Sequence, residues 1–413
     1  MNVPSNDTGV KMSSLHDDLT SITNDREATI SKGKSKVKYP SGWEPRVTIS
    51  DDSGEAVSGA VPEPNADEDA LLAGWLLDPK DWRIVPGSLL VNRWMGYPKD
   101  GEDVWLYQYK AKVIRRASLE HVDVEELVKV IQRHKPLKLK RGGDEAFVAN
   151  LSDWQIGKGE NGGTAGTIDR ILHSFTKTEN QIKKLRKGGH QIGTIYVVGM
   201  GDLAERCANN YSNQEFTTDM NEREQQRVVR RLLLKFITRM ATLADTVIVT
   251  SVGGNHGEQR NGSSRKVTDD SDNLDVGIFE TVYEALGQNP DAYGHVHFHI
   301  PDDELVVALD INGLTVAFSH GHLAKQGPNP MAKQIKWWEG QTFGKHVAGD
   351  ADVLVTAHYH HFAATESHGR LWLQCPAQDG GSKWYRDWTG AHSRSGMLTF
   401  VVDEFGVSNI EVL

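Results

Sequence analysis

The side chains of this sequence that could do chemistry sit at the ends of apolar runs. In chain order they are Asp153 and Gln155 in LSDWQIGK, Asp202 in VVGMGD, Asn255 and His256 in SVGGNHGE, His320 in FSHGH, and His358 and His360 in TAHYHH. The set mixes carboxylates, amides and imidazoles and contains no thiol. Hard oxygens together with borderline nitrogens suit Mn²⁺, Fe or Zn²⁺ better than Ca²⁺ or Mg²⁺ alone. The ligands outnumber what one tetrahedral ion needs, so two divalent ions about 3.5–4 Å apart are expected. Such a pair needs a bridging carboxylate, and Asp202, which lies between the outer groups in chain order, fits that role. In extended chain, residues i and i+2 share a face. Asp153 with Gln155, and His358 with His360, are each expected to address one side. Gly201 and Gly254 let the backbone turn beside such a cluster without a Cβ clash.

Elements that could position these groups alternate from residue 145 onward. AFVANLSD reads as a strand ending at Asp153, followed by a helix over 168–185. GTIYVVGMGD is a strand ending at Asp202, followed by a helix over 222–243. DTVIVTSVGGNH is a strand ending at Asn255 and His256, followed by a helix over 273–286. Strands then dominate, at about 304–311, 314–320, 352–358, 370–374 and 397–402, with a helix near 331–340 between them. An α/β first half and a strand-rich second half predict an α/β (α+β) fold of two packed sheets with helices outside. In open sheets of this kind, ligands gather at the carboxyl ends of strands.

Upstream, residues 1–66 are rich in Ser, Asp, Gly and Pro and read as a disordered tail or linker. Residues 67–144 read as a small α+β accessory module. It carries Trp75, Trp82 and Trp94, an alternating strand in EDVWLYQYKAKVIRRA, a helix over 122–134 and the basic connector RHKPLKLKRGG. Residues 145–413 hold the ligand set. The 413 residues are 38% hydrophobic and 25% charged, with a net charge of −10, so a basic footprint over the whole chain is excluded. No apolar run reaches the length of a transmembrane helix. The first residues lack the apolar core of a signal peptide, and a cytoplasmic location is expected. Cys207 and Cys375 have no CxxC partner, which excludes a disulfide framework or zinc–thiolate site.

Other residues carry a bland reading beside a sharper one. His322 and His361 are either partners that orient neighbouring ligands or solvated bystanders. His295, His297 and His299 read as a polar strand face rather than a metal tripod. The WYRDW run, Trp384 to Trp388, could stack bases or pack a loop. The Arg-rich helix and the basic connector read as solvated surface before phosphate contacts.

Taken together, the pieces DWQ, GD, GNHGE, SHG and AHYH resemble the D-x-H, GD, GNH-[ED], H, GHxH pattern of the calcineurin-like metallophosphoesterases. The resemblance runs from about Ala146 to the C-terminus. It implies a four-layer α-β-β-α sandwich around a dinuclear centre. Asp153, Gln155 and His360 would hold the first ion, Asp202 would bridge, and Asn255, His320 and His358 would hold the second. His256 would stand near the leaving-group oxygen as general acid or transition-state stabiliser. Two positions depart from the pattern. Gln155 replaces a histidine and is a weaker ligand, and Ala357 replaces a glycine, which is tolerable unless φ is positive there. The region looks most like phage and bacterial SbcD-type DNA-repair exonucleases. That implies Mn²⁺-dependent hydrolysis of phosphodiester bonds in DNA, by an exo- or endonuclease. A small-molecule phosphoesterase for nucleotides or nucleoside-diphosphate derivatives is the alternative, and a non-catalytic binding or virion component is another from a different class. DNA is the expected partner, no membrane is implied, and a homodimer is admitted.

Overall fold

The computed structural model describes residues 39, 41–50, 53–64, 67–85, 88–96, 104–115, 124–136, 142–212, 214–262, 265–324, 329–381 and 393–413. The chain divides into two compact units, Met1–His121 and Val122–Leu413.

The first unit is built on one long strand. Its elements are β1 (Arg46–Ser50), β2 (Ser53–Val57), α1 (Glu68–Gly74), β3 (Trp82–Ile84), β4 (Leu90–Gly96) and β5 (Val104–Arg115). β5 pairs antiparallel with β2, β3 and β4, and β1 closes a hairpin on β2. Asp67 caps α1 by accepting from the amide of Asp69. Trp75, Trp82, Leu71, Leu72, Tyr109 and Val113 form the buried core. Residues 46–57, read from the sequence as part of a tail, therefore belong to this sheet. Their strands are short and hold few apolar residues, so the pairing partner β5, some fifty residues away, supplies what the local pattern lacks.

The second unit opens with α2 (Val124–Gln132), which packs on a later helix. Asn289 donates its side-chain amide to the carbonyls of Ile131 and His134. The sequence pattern alone places this helix, over 122–134, in the module before it. Then follow β6 (Glu145–Leu151), α3 (Gly163–Lys187), β7 (Ile192–Gly199), α4 (Glu222–Ala241), β8 (Thr246–Ser251), α5 (Leu274–Gly287), α6 (Pro290–Tyr293) and β9 (Val296–His299). The remainder is β10 (Val306–Ile311), β11 (Leu314–Ser319), α7 (Pro330–Gly344), β12 (Val353–Thr356), β13 (Ala363–Ser367), β14 (Arg370–Gln374), β15 (Leu398–Asp403) and β16 (Gly406–Val412).

These strands make two mixed sheets. One runs β16-β15-β6-β7-β8-β9, with β6 to β9 parallel. The other runs β10-β11-β12-β14-β13, with β11, β12 and β14 parallel. Parallel strands are covered on both faces, which is why β6 and β7 are apolar almost without interruption. Val148, Val198 and Phe400 of the first sheet share one buried cluster with Val316, Phe318 and Val355 of the second. Trp338 of α7 is buried with Ala317, Leu354 and Trp372 of the second sheet. Phe175 of α3 and Phe236 of α4 meet at 4.6 Å between ring centroids. The unit is thus mixed α/β.

Most elements fall within a few residues of their predicted places. α3 starts five residues earlier than its periodicity suggests, at glycines that carry no helical pattern. Its start is fixed from outside: the Asp219 carboxylate accepts from the amide and hydroxyl of Thr164. In β9, His297 and His299 are exposed, a polar strand face. Among the described residues, no helix is long and apolar enough to cross a membrane.

Candidate metal centre

Every candidate side chain lies within five residues of the carboxyl end of β6, β7, β8, β11 or β12. Five of them are not in extended chain, however. Asp153, Gln155, Asp202, His358 and His360 all have positive φ, at 46°, 42°, 54°, 69° and 59°. The strand-alternation argument for pairing Asp153 with Gln155 and His358 with His360 therefore does not describe the backbone. Left-handed turns aim these side chains. Such residues cost about 1–3 kcal/mol each and persist only where their surroundings fix them. Here the loops hold each other: the amide of Asp153 donates to Gly201 O, that of Gln155 to Asp202 O, and that of Ala357 to His320 O. Ala357 itself is outside the positive-φ set, so a methyl in place of the usual hydrogen is accommodated.

Asp202, His320 and His358 each offer one ligand atom, and these atoms lie within 4.8 Å of one another. His320 Nε2 is 3.0 Å from Asp202 Oδ2 and 3.1 Å from Asn255 Oδ1. The other ring nitrogen, Nδ1, donates to Met200 O at 2.7 Å. That bond orients the ring and leaves Nε2 facing the cluster. Burial opposes a charge on it, but Asp202 holds its pKa up at about 9, so a metal ion would bind by displacing the Nε2 proton. Burial works against the Asp202 carboxylate, yet His320 and His256 hold its pKa well below the usual range. His358 is pushed down to about 2 by burial and by the neighbouring His320, so its imidazole is neutral and has a lone pair to offer.

Asp275, which the sequence reading missed, anchors this cluster. Its carboxylate accepts from the amides of Asp202, Leu203 and Gly254, tying the turns after β7 and β8 together. Burial and the charge of Asp202 raise its pKa to about 6. Gly254 is required by space: a Cβ there would stand 2.1 Å from Asp202 Oδ1 and 2.3 Å from Asp202 N. We expect Gly254→Ala to cost about 1–3 kcal/mol, the range for overpacking, and to weaken metal uptake. Thermal unfolding and a metal titration check both effects, and an unchanged titration would contradict the close approach.

Asp153, Gln155 and His360 form a second group with two residues that the sequence reading did not single out. His360 Nε2 is 3.4 Å from Asp153 Oδ1, and its Nδ1 is 3.3 Å from Asp379 Oδ2. Lys158 Nζ donates to Asp379 Oδ2 at 2.5 Å and to Gln155 Oε1 at 2.9 Å. Burial opposes a charge on His360, but Asp379 and Asp153 hold its pKa up at about 10. The groups meet at Asp153, whose Oδ2 accepts from the amide of His358 at 3.2 Å. Asp379 follows β14 as the other acidic residues follow their strands, and QDGG carries the same polar-plus-glycine signal. Lys158 had no signal of its own.

His256 stands beside the first cluster. Its Nε2 is 4.0 Å from Asp202 Oδ2, while its Nδ1 donates to Glu205 O at 2.9 Å, with Glu205 Oε2 at 3.4 Å. Tyr211 in turn donates its hydroxyl to Glu205 Oε1 at 2.5 Å. The ring is therefore oriented from behind, with Nε2 free to face a reacting group. His322 lies 5.4 Å from the His320 ring and its Nε2 is 3.4 Å from Glu258 Oε1. His361 Nδ1 donates to Tyr359 O. Trp384 to Trp388 lie outside the described residues. Cys207 and Cys375 are both free.

No protein-family model matches the chain, and no curated protein does either. Several solved structures are similar to it at low levels. A Vps29 single mutant from Entamoeba histolytica is 12% identical, covering 65% of this chain and 98% of its own, with a TM-score of 0.28. A conserved uncharacterized protein from Streptococcus pneumoniae TIGR4, described as a predicted phosphoesterase, is 10% identical over 63% of this chain and 84% of its own, with a TM-score of 0.27. A novel archaeal phosphodiesterase is 14% identical over 65% of this chain and 99% of its own, with a TM-score of 0.29. Likeness this low assigns no function, so the functional reading rests on the side chains.

Proposed function

We propose that this chain is a divalent-metal-dependent phosphoesterase of the calcineurin-like kind, a four-layer α-β-β-α sandwich that hydrolyses phosphodiester bonds, with DNA as substrate. The observation that carries the reading is the convergence of buried Asp202 and His320 with half-buried Asn255 and His358, and with His256 beside them. The donor set fits a divalent transition metal. It combines a carboxylate held ionised, an amide oxygen, an imidazole fixed in orientation and a neutral imidazole. Mn²⁺ is the ion we would load first, with Fe and Zn²⁺ as the other candidates.

A bound divalent ion supplies Lewis acidity toward a phosphoryl oxygen and acidifies a water. The rest falls to the protein. Met200 O and Asp202 orient His320, and Asp275 fixes the backbone that carries Asp202. His256, with Nδ1 tied to Glu205, can deliver a proton from Nε2 to a departing alkoxide. No serine or cysteine nucleophile is needed.

The DNA assignment rests on the motif resemblance. A panel of Mn²⁺-loaded protein with single-stranded DNA, nucleotides and bis-p-nitrophenyl phosphate tests it. Cleavage of DNA well above nucleotides supports the proposal. Preference for nucleotides would move the substrate to the small-molecule class. No turnover of any substrate with Mn²⁺, Fe or Zn²⁺ would leave a binding protein.

A further inference from the structure

We propose that the Lys158 ammonium stands where a second metal ion would, so that this centre binds one divalent ion and completes its positive charge with a lysine. The inference rests on the metal centre proposed above and concerns the other half of the site.

The Asp153, Gln155 and His360 group does not fit an ion as well as the group around Asp202 does. Gln155 Oε1 already accepts from Lys158 Nζ at 2.9 Å, and Asp379 Oδ2 accepts from the same nitrogen at 2.5 Å. With a metal–oxygen bond of about 2.1 Å, an ion sharing the Gln155 oxygen would lie no more than about 5 Å from the ammonium. Both cations would be in a largely buried place, because the Lys158 side chain is only 11% exposed and that of Asp379 only 1%. Like charges that close disfavour each other strongly away from water. His360 is also committed, with one ring nitrogen toward Asp153 and the other toward Asp379.

The main chain that carries the lysine is held in place. The amide of Lys158 donates to Gln155 O, and the next amide, of Gly159, donates to Thr217 O at 2.7 Å. Lys158 also forms an isolated bridge with Thr218, so the turn is held from both sides. The glutamine then has a physical reason. An amide oxygen accepts from an ammonium, never takes up a proton itself, and adds no competing positive charge, whereas an imidazole in that place could become cationic. Gln155 and Lys158 are two parts of one device. Such a fixed ammonium would meet a phosphoryl oxygen with a single charge that cannot be lost to chelators.

Full-length protein saturated with Mn²⁺ tests this by metal analysis together with electron paramagnetic resonance. One Mn per chain, with the spectrum of an isolated ion, is the expected result. Lys158→Met, close in length and uncharged, should take up a second ion and show exchange coupling between the two, while Gln155→His alone should stay at one. Two coupled ions in the unaltered protein would overturn the proposal and leave the phosphoesterase reading standing. A single ion in a folded Lys158→Met would also overturn it. No bound ion at all would instead sink the metal centre, and this inference with it. Should Lys158→Met not fold, the unaltered protein alone decides.

Discussion

Asp202→Asn is expected to abolish metal-dependent hydrolysis while leaving the protein folded. The carboxylate is the only anionic member of the cluster with His320 and His358, and His320 Nε2 lies 3.0 Å from it. The amide keeps the shape but removes the charge that a divalent ion needs. Losing an outer partner of a metal ligand typically costs about 10–100-fold in affinity or activity, and losing this ligand should cost more than that. Asp275 accepts from the backbone amide of Asp202, not from its side chain, so the turn should survive and the melting temperature should move little. Metal content and turnover of the purified variant decide. An Asp202→Asn protein with full activity and full metal would refute the centre.

His256→Ala should separate catalysis from metal holding. The imidazole is tied to Glu205 through Nδ1, and only its backbone amide bonds to Asp202, at 2.7 Å to Oδ1. That bond remains in the alanine variant, so the metal should stay. A positioned general acid contributes about 10²–10⁴-fold, and a DNA strand, with its poor leaving group, should lose that factor. A p-nitrophenyl ester, whose leaving group departs without a proton, should lose far less. Equal losses on both substrates would remove the general-acid role, and loss of metal would make His256 a ligand.

The strands that carry the site were legible because buried parallel strands read as continuous apolar runs, and each run stops at a glycine or a polar residue. That is why Asp202 after GMG and His320 after FS are expected at strand ends, while their meeting in one cluster is what the motif resemblance implies. The direction in which the side chains point was not legible. Alternation along a strand pairs Asp153 with Gln155 and His358 with His360, yet all four adopt left-handed backbone, and the turns of Asp153 and Gln155 are tied to the loop after β7. Glu205, Asp275 and Asp379 act through contacts far along the chain, and a lone acidic residue gives no local sign of that. Lys158 was hidden for the same reason: its partner Asp379 lies 221 residues away. In the N-terminal unit, β1 and β2 have too few apolar residues to announce themselves without β5.

The most direct test of the central claim is hydrolysis of bis-p-nitrophenyl phosphate by the full chain, stripped with a chelator and then titrated with Mn²⁺. The account predicts no turnover in the stripped protein and activity that rises with Mn²⁺ and saturates as the site fills. Turnover that persists without metal, or its absence at every concentration of Mn²⁺, Fe or Zn²⁺ in a protein that binds the ion, would contradict it.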